Sequence, residues 1–445
     1  MKLKKSLTSF FVLFVLTLCL STVTKSQVYA SEKSLMEDNN NNVVTVKSKG
    51  CFKADIKKAR KYRYYSYNES VVKVTDEGAY VARNVGTAKI YVRGFNAKGS
   101  VVGNRSYNVN VVPVTSKASL SVSEKTLYTT DLTSAYDSNS QKRVTFTIKN
   151  MPYKINTDNS FDASNVSFKT SNSRIKITSQ SIVNNKVTLT FEGLGTAKVY
   201  INIFGKKLAY KMNIYYATVK STSELLARGS KTKLKVYIGK NNKKNLTVAS
   251  PNLIKWGTTR ASVAKVSKNG TVSAIKNGNA ILVAYIGNLK FGNIISITSK
   301  NKISAVKKAI KIYKSSSYSQ ARRMEKGYYD CSSLVWRAYV PYGYNFGVTG
   351  NWAPTAAGLA QYLANKGKMV SGQVYGNNIS NYKLQAGDLA FGTGGGNGRY
   401  LGIYHVEMLA GYNFNGFGNN GKSYNVSVKW ATNSGIWGNS VVGRP

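Results

Sequence analysis

The sequence predicts a multidomain chain in which several small all-β sandwiches precede one α+β domain. Three observations carry that expectation. The chain has 445 residues, enough at roughly 100 to 200 residues per domain for several units, each with its own core. A glycine-led strand phrase recurs along its first two thirds, and past Ser299 the composition shifts to amphipathic helical spacing and then to dense glycine and aromatic residues. Thirty-one tyrosines against six prolines, with frequent Thr, Val and Asn, favour strands over helices.

Composition also excludes classes of function. With 42% hydrophobic residues and a formal charge of +46, from 64 bases and 18 acids, the chain is neither a disordered tail nor a multispan membrane protein. A single histidine, His405, excludes a His-rich zinc site, a two-histidine metalloprotease helix and a histidine relay. No metal and no cofactor are expected.

Residues 1–30 read as a secretory leader. Lys2, Lys4 and Lys5 open it, Phe10 to Leu20 is apolar, and Val28-Tyr29-Ala30 supplies a small-residue cleavage site before Ser31. The apolar run is about half the ~20 residues needed to cross a bilayer. No second segment of spanning length follows. Leu-Thr-Leu before Cys19 departs from a lipoprotein signal, so lipid anchoring is not expected. Export leaves Cys51 and Cys331 in different expected domains, which is no disulfide framework. If both stay reduced outside the cell, at least one thiol has a chemical role. The excess of bases calls for an anionic partner there. Export makes nucleic acid the weaker candidate and anionic polymers of a cell wall the stronger. Charges act only within ~8 Å at physiological salt, and the competing reading is that the lysines simply keep strand faces solvated.

The recurring phrase is Gly86-Thr87-Ala88-Lys89-Ile90-Tyr91-Val92, then Gly195-Thr196-Ala197-Lys198-Val199-Tyr200-Ile201, then more loosely Gly278-Asn279-Ala280-Ile281-Leu282-Val283-Ala284. A glycine turn followed by alternation is a half-buried strand. Ser70-Val71-Val72-Lys73-Val74 and Gly78 precede the first copy. Ser262-Val263-Ala264-Lys265-Val266, Asn269-Gly270 and Thr271-Val272 precede the third, as strand, tight turn and strand. The spacings suit three sandwiches rather than a solenoid. The pattern Ser-Val-Ala-Lys-Val, Asn-Gly-Thr-Val and a later Gly-x-Ala strand resembles the bacterial immunoglobulin-like domain of group 2. Three copies are expected over 40–112, 113–216 and 217–298, the middle one divergent, with an insert around Tyr153 to Ala163. The resemblance implies spacer or adhesive modules, not chemistry.

From Lys302 to Tyr313, Ile303, Val306, Ile310 and Tyr313 fall on one helical face. The informative stretch is Gly327-Tyr328-Tyr329-Asp330-Cys331-Ser332-Ser333-Leu334-Val335-Trp336-Arg337-Ala338-Tyr339, helical from Ser332 onward, so that Cys331 sits at a helix start. The partial positive charge there favours a thiolate. A helix-start Cys with a histidine elsewhere is the arrangement of a cysteine nucleophile and its base. A buried structural cysteine is the alternative. His405 lies in the apolar strand Gly402 to Gly411, where a core histidine would be the ordinary reading; it is also the only imidazole that a thiol here can use.

Asp330-Cys331-Ser332-Ser333-Leu334-Val335, then Gly387-Asp388-Leu389 before a strand, then His405-Val406, resemble the NlpC family of cell-wall cysteine peptidases over about 299–445. The resemblance implies a papain-like α+β domain. It makes Cys331 the nucleophile, His405 the general base and Asp388 a turn residue that shapes the site. Ser333 stands where the family usually has glycine. Tyr318 matches a tyrosine beside the nucleophile whose hydroxyl helps hold the oxyanion; Ser332 and Asp330 are further candidates on the oxyanion or substrate side. The orienting third member is open. A hairpin centred near Gly418 would set His405 opposite 431, which favours Asn433, with Asn413 and Asn415 as alternatives for a shorter hairpin. Glu407 reads as a binding or structural carboxylate that could also hold the ring. Gly392 to Gly398 reads as a loop beside the site, and Trp352, Pro354 and Tyr362 as candidate groove residues or core.

The expected chemistry is acyl transfer on a stem-peptide or cross-bridge amide of peptidoglycan, by a secreted, wall-associated hydrolase. The alternatives are an adhesin whose NlpC-like end only binds, and a thiol acyltransferase.

Overall fold

The computed structural model describes residues 42–220, 223–375, 384–436 and 438–445; the expected leader, 1–30, lies outside them. The fold is dominated by sheets, with 48% strand and 13% helix. Contacts divide the chain into two compact units. One holds the described residues up to Lys125, Arg143–Glu192 and Ala197–Met212; the other holds Thr126–Lys142, Gly193–Thr196 and Asn213–Pro445.

In the first unit, Asn42–Thr45, Val101–Val112, Gly86–Phe95 and Lys61–Ser66 form one sheet, and Lys49–Cys51, Ala79–Ala82 and Val72–Val74 another. Alternation does the work that the sequence predicts: Ala88, Ile90 and Val92 are buried while Thr87, Lys89 and Arg93 face solvent. The buried side joins Phe52, Ile56, Tyr64, Val72, Tyr80 and Val109 in one core. Also in this unit, Ile175–Val183, Lys186–Gly193, Arg143–Lys149 and Ser119–Leu120 form a four-stranded sheet.

The glycine phrase marks a repeated backbone device. Gly86, Gly195 and Gly278 have φ of +144°, +132° and +141°, a region that side chains disfavour. A Cβ on Gly86 would stand 3.2 Å from Val71 Cγ2, and one on Gly278 3.3 Å from Val263 Cγ2. Those valines hold the same place in the two Ser-Val motifs, so the first and third copies fold the same way locally.

Lys206–Lys220 is one 15-residue strand through 216/217. Its end, Tyr216–Lys220, pairs antiparallel with Lys235–Gly239, and Tyr136–Asp137 pairs with Leu289–Lys290. Hydrogen-bond ladders thus tie pieces of the expected middle domain into the third.

From Lys300 onward three helices, Lys300–Ser315, Cys331–Tyr339 and Ala356–Asn365, accompany an antiparallel sheet ordered Met369–Tyr375, Asn439–Gly443, Leu389–Thr393, Ile403–Phe417 and Tyr424–Trp430. Ser299 and Thr355 cap the first and third helices through Lys302 N and Gly358 N. Val306, Leu334, Val335, Leu359, Phe391, Val406 and Met408 make the core between helices and sheet. Ala390, Leu409, Tyr412, Val428 and Val442 pack instead against Ile281, Val283 and Ile294 of the neighbouring sandwich. Across that contact the buried Asn279 donates to Leu384 O at 2.5 Å, while within the sandwich it accepts from Ser296 Oγ at 2.6 Å. Lys290 Nζ donates to Gly421 O at 2.6 Å and lies 4.4 Å from the Phe417 ring centre.

Candidate active site

Cys331 is the first residue of its helix, and local sequence explains why. Asp330 is the N-cap: its carboxylate accepts from Ser333 N at 2.7 Å, while Ser333 Oγ accepts from Asp330 N at 2.9 Å. This reciprocal pair satisfies two backbone donors at a point where the helix supplies no acceptors. Ser333, at the position where the resemblance expects glycine, therefore has a structural task. Arg323 reinforces the turn, with Nε 3.1 Å from Asp330 Oδ2 and a terminal nitrogen donating to Ser332 Oγ and Pro354 O, each at 2.8 Å. Asp330 and Ser332 are buried by this network and hold the helix start in place; they are not among the residues lining the cavity.

The Cys331 thiol is free and half-buried. His405 approaches it from the strand Ile403–Phe417. Burial alone would lower the imidazole pKa, but contacts with Cys331 and Glu407 outweigh it and hold the ring at about 9. The single imidazole is therefore protonated at neutral pH. Its Nε2 is buried without a hydrogen-bond partner and lies 3.7 Å from Glu407 Oε2, too long for a hydrogen bond and short enough for strong attraction in a dry site.

Glu407 is 2% exposed, and a buried carboxylate survives only with donors around it. It accepts from Thr432 Oγ1 at 2.6 Å, Ser434 Oγ at 2.6 Å and Thr432 N at 3.2 Å. Those donors arrive through the hairpin register. Leu409 pairs with Trp430 and Tyr412 with Val428, with irregularities at Gly411 and Gly416. At Leu409 the returning strand stands three positions away from the expected alignment, and past Trp430 the chain leaves the strand so that the Thr432 and Ser434 side chains reach Glu407. Asn433 is exposed and outside the cavity, as are Asn413 and Asn415. The carboxylate beside His405 is that of Glu407.

Tyr318 is delivered by a short parallel pairing, Ser317–Tyr318 with Tyr328–Tyr329. Its ring meets Tyr329 edge-on at 5.6 Å. Partial desolvation, then the neighbouring Cys331, raise its pKa, although the residue as a whole is 53% exposed. Cys331, His405, Glu407 and Tyr318 line one cavity of about 310 Å³ with Tyr313, Tyr329, Thr432 and Ser434.

The remaining candidates lie elsewhere. Asp388 is fully buried in a bidentate pair with Arg444, at 2.9 and 2.7 Å, and accepts from Gln385 N. It fixes the turn before Leu389–Thr393. Trp352 is 62% exposed, and Tyr362 lines a separate cavity with Phe346 and Lys366. Gly392 to Gly398 continues from the strand Leu389–Thr393 and is not part of the lining. Among the described residues no cluster of His, Cys, Asp and Glu fits a metal ion.

No known family matches the chain, and no curated protein matches it. Solved structures give low-scoring likenesses. Invasin, a bacterial integrin-binding protein, is 13% identical with a TM-score of 0.29, over 54% of this chain and 52% of that one. A C-terminal 282-residue fragment of intimin, solved with the intimin-binding domain of its translocated receptor, is 13% identical with a TM-score of 0.27, over 73% and 99%. Domains 4–9 of the surface layer protein SbsC are 15% identical with a TM-score of 0.16, over 55% and 40%. The chain thus spans about half of the invasin structure and two fifths of the SbsC fragment. At these scores the likenesses carry no inference about activity.

Proposed function

We propose that the C-terminal part of this chain is a cysteine-dependent acyl hydrolase of NlpC type. The observation that carries the reading is the free Cys331 at a helix start, lining one cavity with His405, which faces the buried Glu407 at 3.7 Å. In the proposed cycle the Cys331 thiolate attacks an amide carbonyl. The tetrahedral oxyanion is held by backbone N–H groups of the helix start and by the Tyr318 hydroxyl. As the C–N bond breaks, His405 gives its proton to the leaving amine, and a thioester remains on Cys331. His405 then takes a proton from water, which attacks the thioester and releases the carboxylate and the thiolate. Glu407 keeps the ring oriented and offsets its charge, the role that an amide or carboxylate has beside a catalytic imidazole.

The substrate class, a stem-peptide or cross-bridge amide of peptidoglycan, comes from the resemblance at Asp330-Cys331-Ser332, Gly387-Asp388-Leu389 and His405-Val406. On this reading the papain-like domain is exported and held at the wall by the immunoglobulin-like part. Among the described residues no helix is long and apolar enough to cross a membrane.

A second reading is a surface adhesin or wall-binding protein with an inactive NlpC-like module. The separating experiment measures amine release from purified peptidoglycan by the wild-type protein and Cys331→Ala. Release that is lost in the variant supports the hydrolase. Equal wall binding by both proteins with no release from several wall types supports the adhesin.

A further inference from the structure

The outer face of the first sheet has properties that neither a spacer nor a catalytic site explains. Its strands Asn42–Thr45, Lys61–Ser66, Gly86–Phe95 and Val101–Val112 contain no acidic residue, and they carry Lys61, Arg63, Lys89, Arg93 and Arg105. Register sorts the outward side chains into rows. Arg63 lies opposite Arg93, which lies opposite Asn104; Tyr65 lies opposite Tyr91, which lies opposite Ser106. Rows two residues apart along a strand are separated by about 7 Å, so a cationic row borders an aromatic one. Tyr67 continues the aromatic patch, 6.3 Å from Tyr91 and 71% exposed; Tyr65 is 41% exposed.

Both features are unfavourable in an isolated sheet. Two guanidinium groups directly across a strand pair repel; Arg63 lies over the Phe95 ring and Arg93 over the Tyr91 ring, each at 5.9 Å, but no carboxylate on the sheet neutralises them. Exposed tyrosine rings in a contiguous patch leave apolar faces in water. A bound polymer that supplies anions to Arg63 and Arg93 and flat, C–H-rich rings to Tyr65, Tyr67 and Tyr91 would answer both. The neighbouring amide and hydroxyl groups of Asn104, Ser106 and Asn108 suit the hydroxyls of such a polymer. We infer that this face is a binding platform for an anionic polysaccharide. It is independent of whether Cys331 is reactive.

The test uses the intact protein and measures binding of polygalacturonate, neutral dextran and a single-stranded oligothymidylate at two salt concentrations. Polygalacturonate is expected to bind, more weakly at high salt, and dextran much less. Arg63→Ser/Arg93→Ser and Tyr65→Ala/Tyr91→Ala should each weaken polygalacturonate binding at least about tenfold. Lys198→Ser/Lys207→Ser, which removes two exposed charges from other strands, should leave it within about twofold. The inference is overturned if polygalacturonate does not bind, if the lysine pair costs as much as the arginine pair, or if the tyrosine variant binds normally. Tighter binding of the oligothymidylate than of polygalacturonate would also overturn it, since stacked bases on a basic aromatic face are the competing fit.

Discussion

His405 gives the most direct view of the site, because a chain with one histidine has one imidazole resonance to follow. Its titration should centre near pH 9 in the wild type. Glu407→Gln and Cys331→Ala should each move it down toward 6.5, since each removes a contact that favours the charged ring. The sign for stability follows: a pKa raised on folding stabilises fully below 6.5, and that contribution is lost as pH rises through about 9. For activity, the proposed chemistry predicts a loss of at least about a thousandfold in turnover for Cys331→Ala. Glu407→Gln should lower kcat more than it changes KM and should shift the alkaline limb of the pH profile. Asn433→Ala should stay within about twofold, because that residue does not line the cavity. An Asn433 variant as impaired as Glu407→Gln would contradict the assignment of the orienting group.

At the scale of elements, two local devices carry much of the fold. Asp330 closes the capping box and receives Arg323. Asp330→Ala should therefore cost about 2–4 kcal/mol, from the lost cap and from a guanidinium left without its carboxylate, measured by chemical denaturation followed through near-UV signals. The strand-opening glycines are the other device. Gly86→Ala and Gly278→Ala should each destabilise by about 1–3 kcal/mol, since both φ angles exceed +140° and a valine methyl stands in the way. Much of this was legible beforehand, because helix spacing and strand alternation are local properties. The helix expected over Lys302 to Tyr313 spans Lys300–Ser315, and the strand after Gly86 runs to Phe95. The hairpin after His405 was less legible. The turn lies between Phe417 and Tyr424, past Gly418, and the irregular pairing at Gly411 and Gly416 takes back only part of that shift; no short-range pattern fixes either. That displacement brings Thr432 and Ser434 to Glu407 in place of an asparagine at the histidine.

For the molecule as a whole, packing between the C-terminal sheet and the preceding sandwich should make the C-terminal part a poor independent unit. Residues 299–445 alone would expose Leu409, Tyr412, Val428 and Val442, and should melt well below the intact chain and bind a hydrophobic dye. Asn279→Leu in the full chain should cost about 1–3 kcal/mol by leaving the Leu384 carbonyl and Ser296 hydroxyl without their partner. The sequence by itself determined the sheet-rich first part, the helix that begins at Cys331 and the scarcity of imidazole, because alternation, capping and composition are written residue by residue. Only the tertiary structure decided that Glu407 is the group beside His405, that Asp330 and Ser332 support the turn from behind, and that the second and third expected domains share ladders. Each of those depends on which distant strands pair and in what register, and that is fixed by the packing of whole sheets.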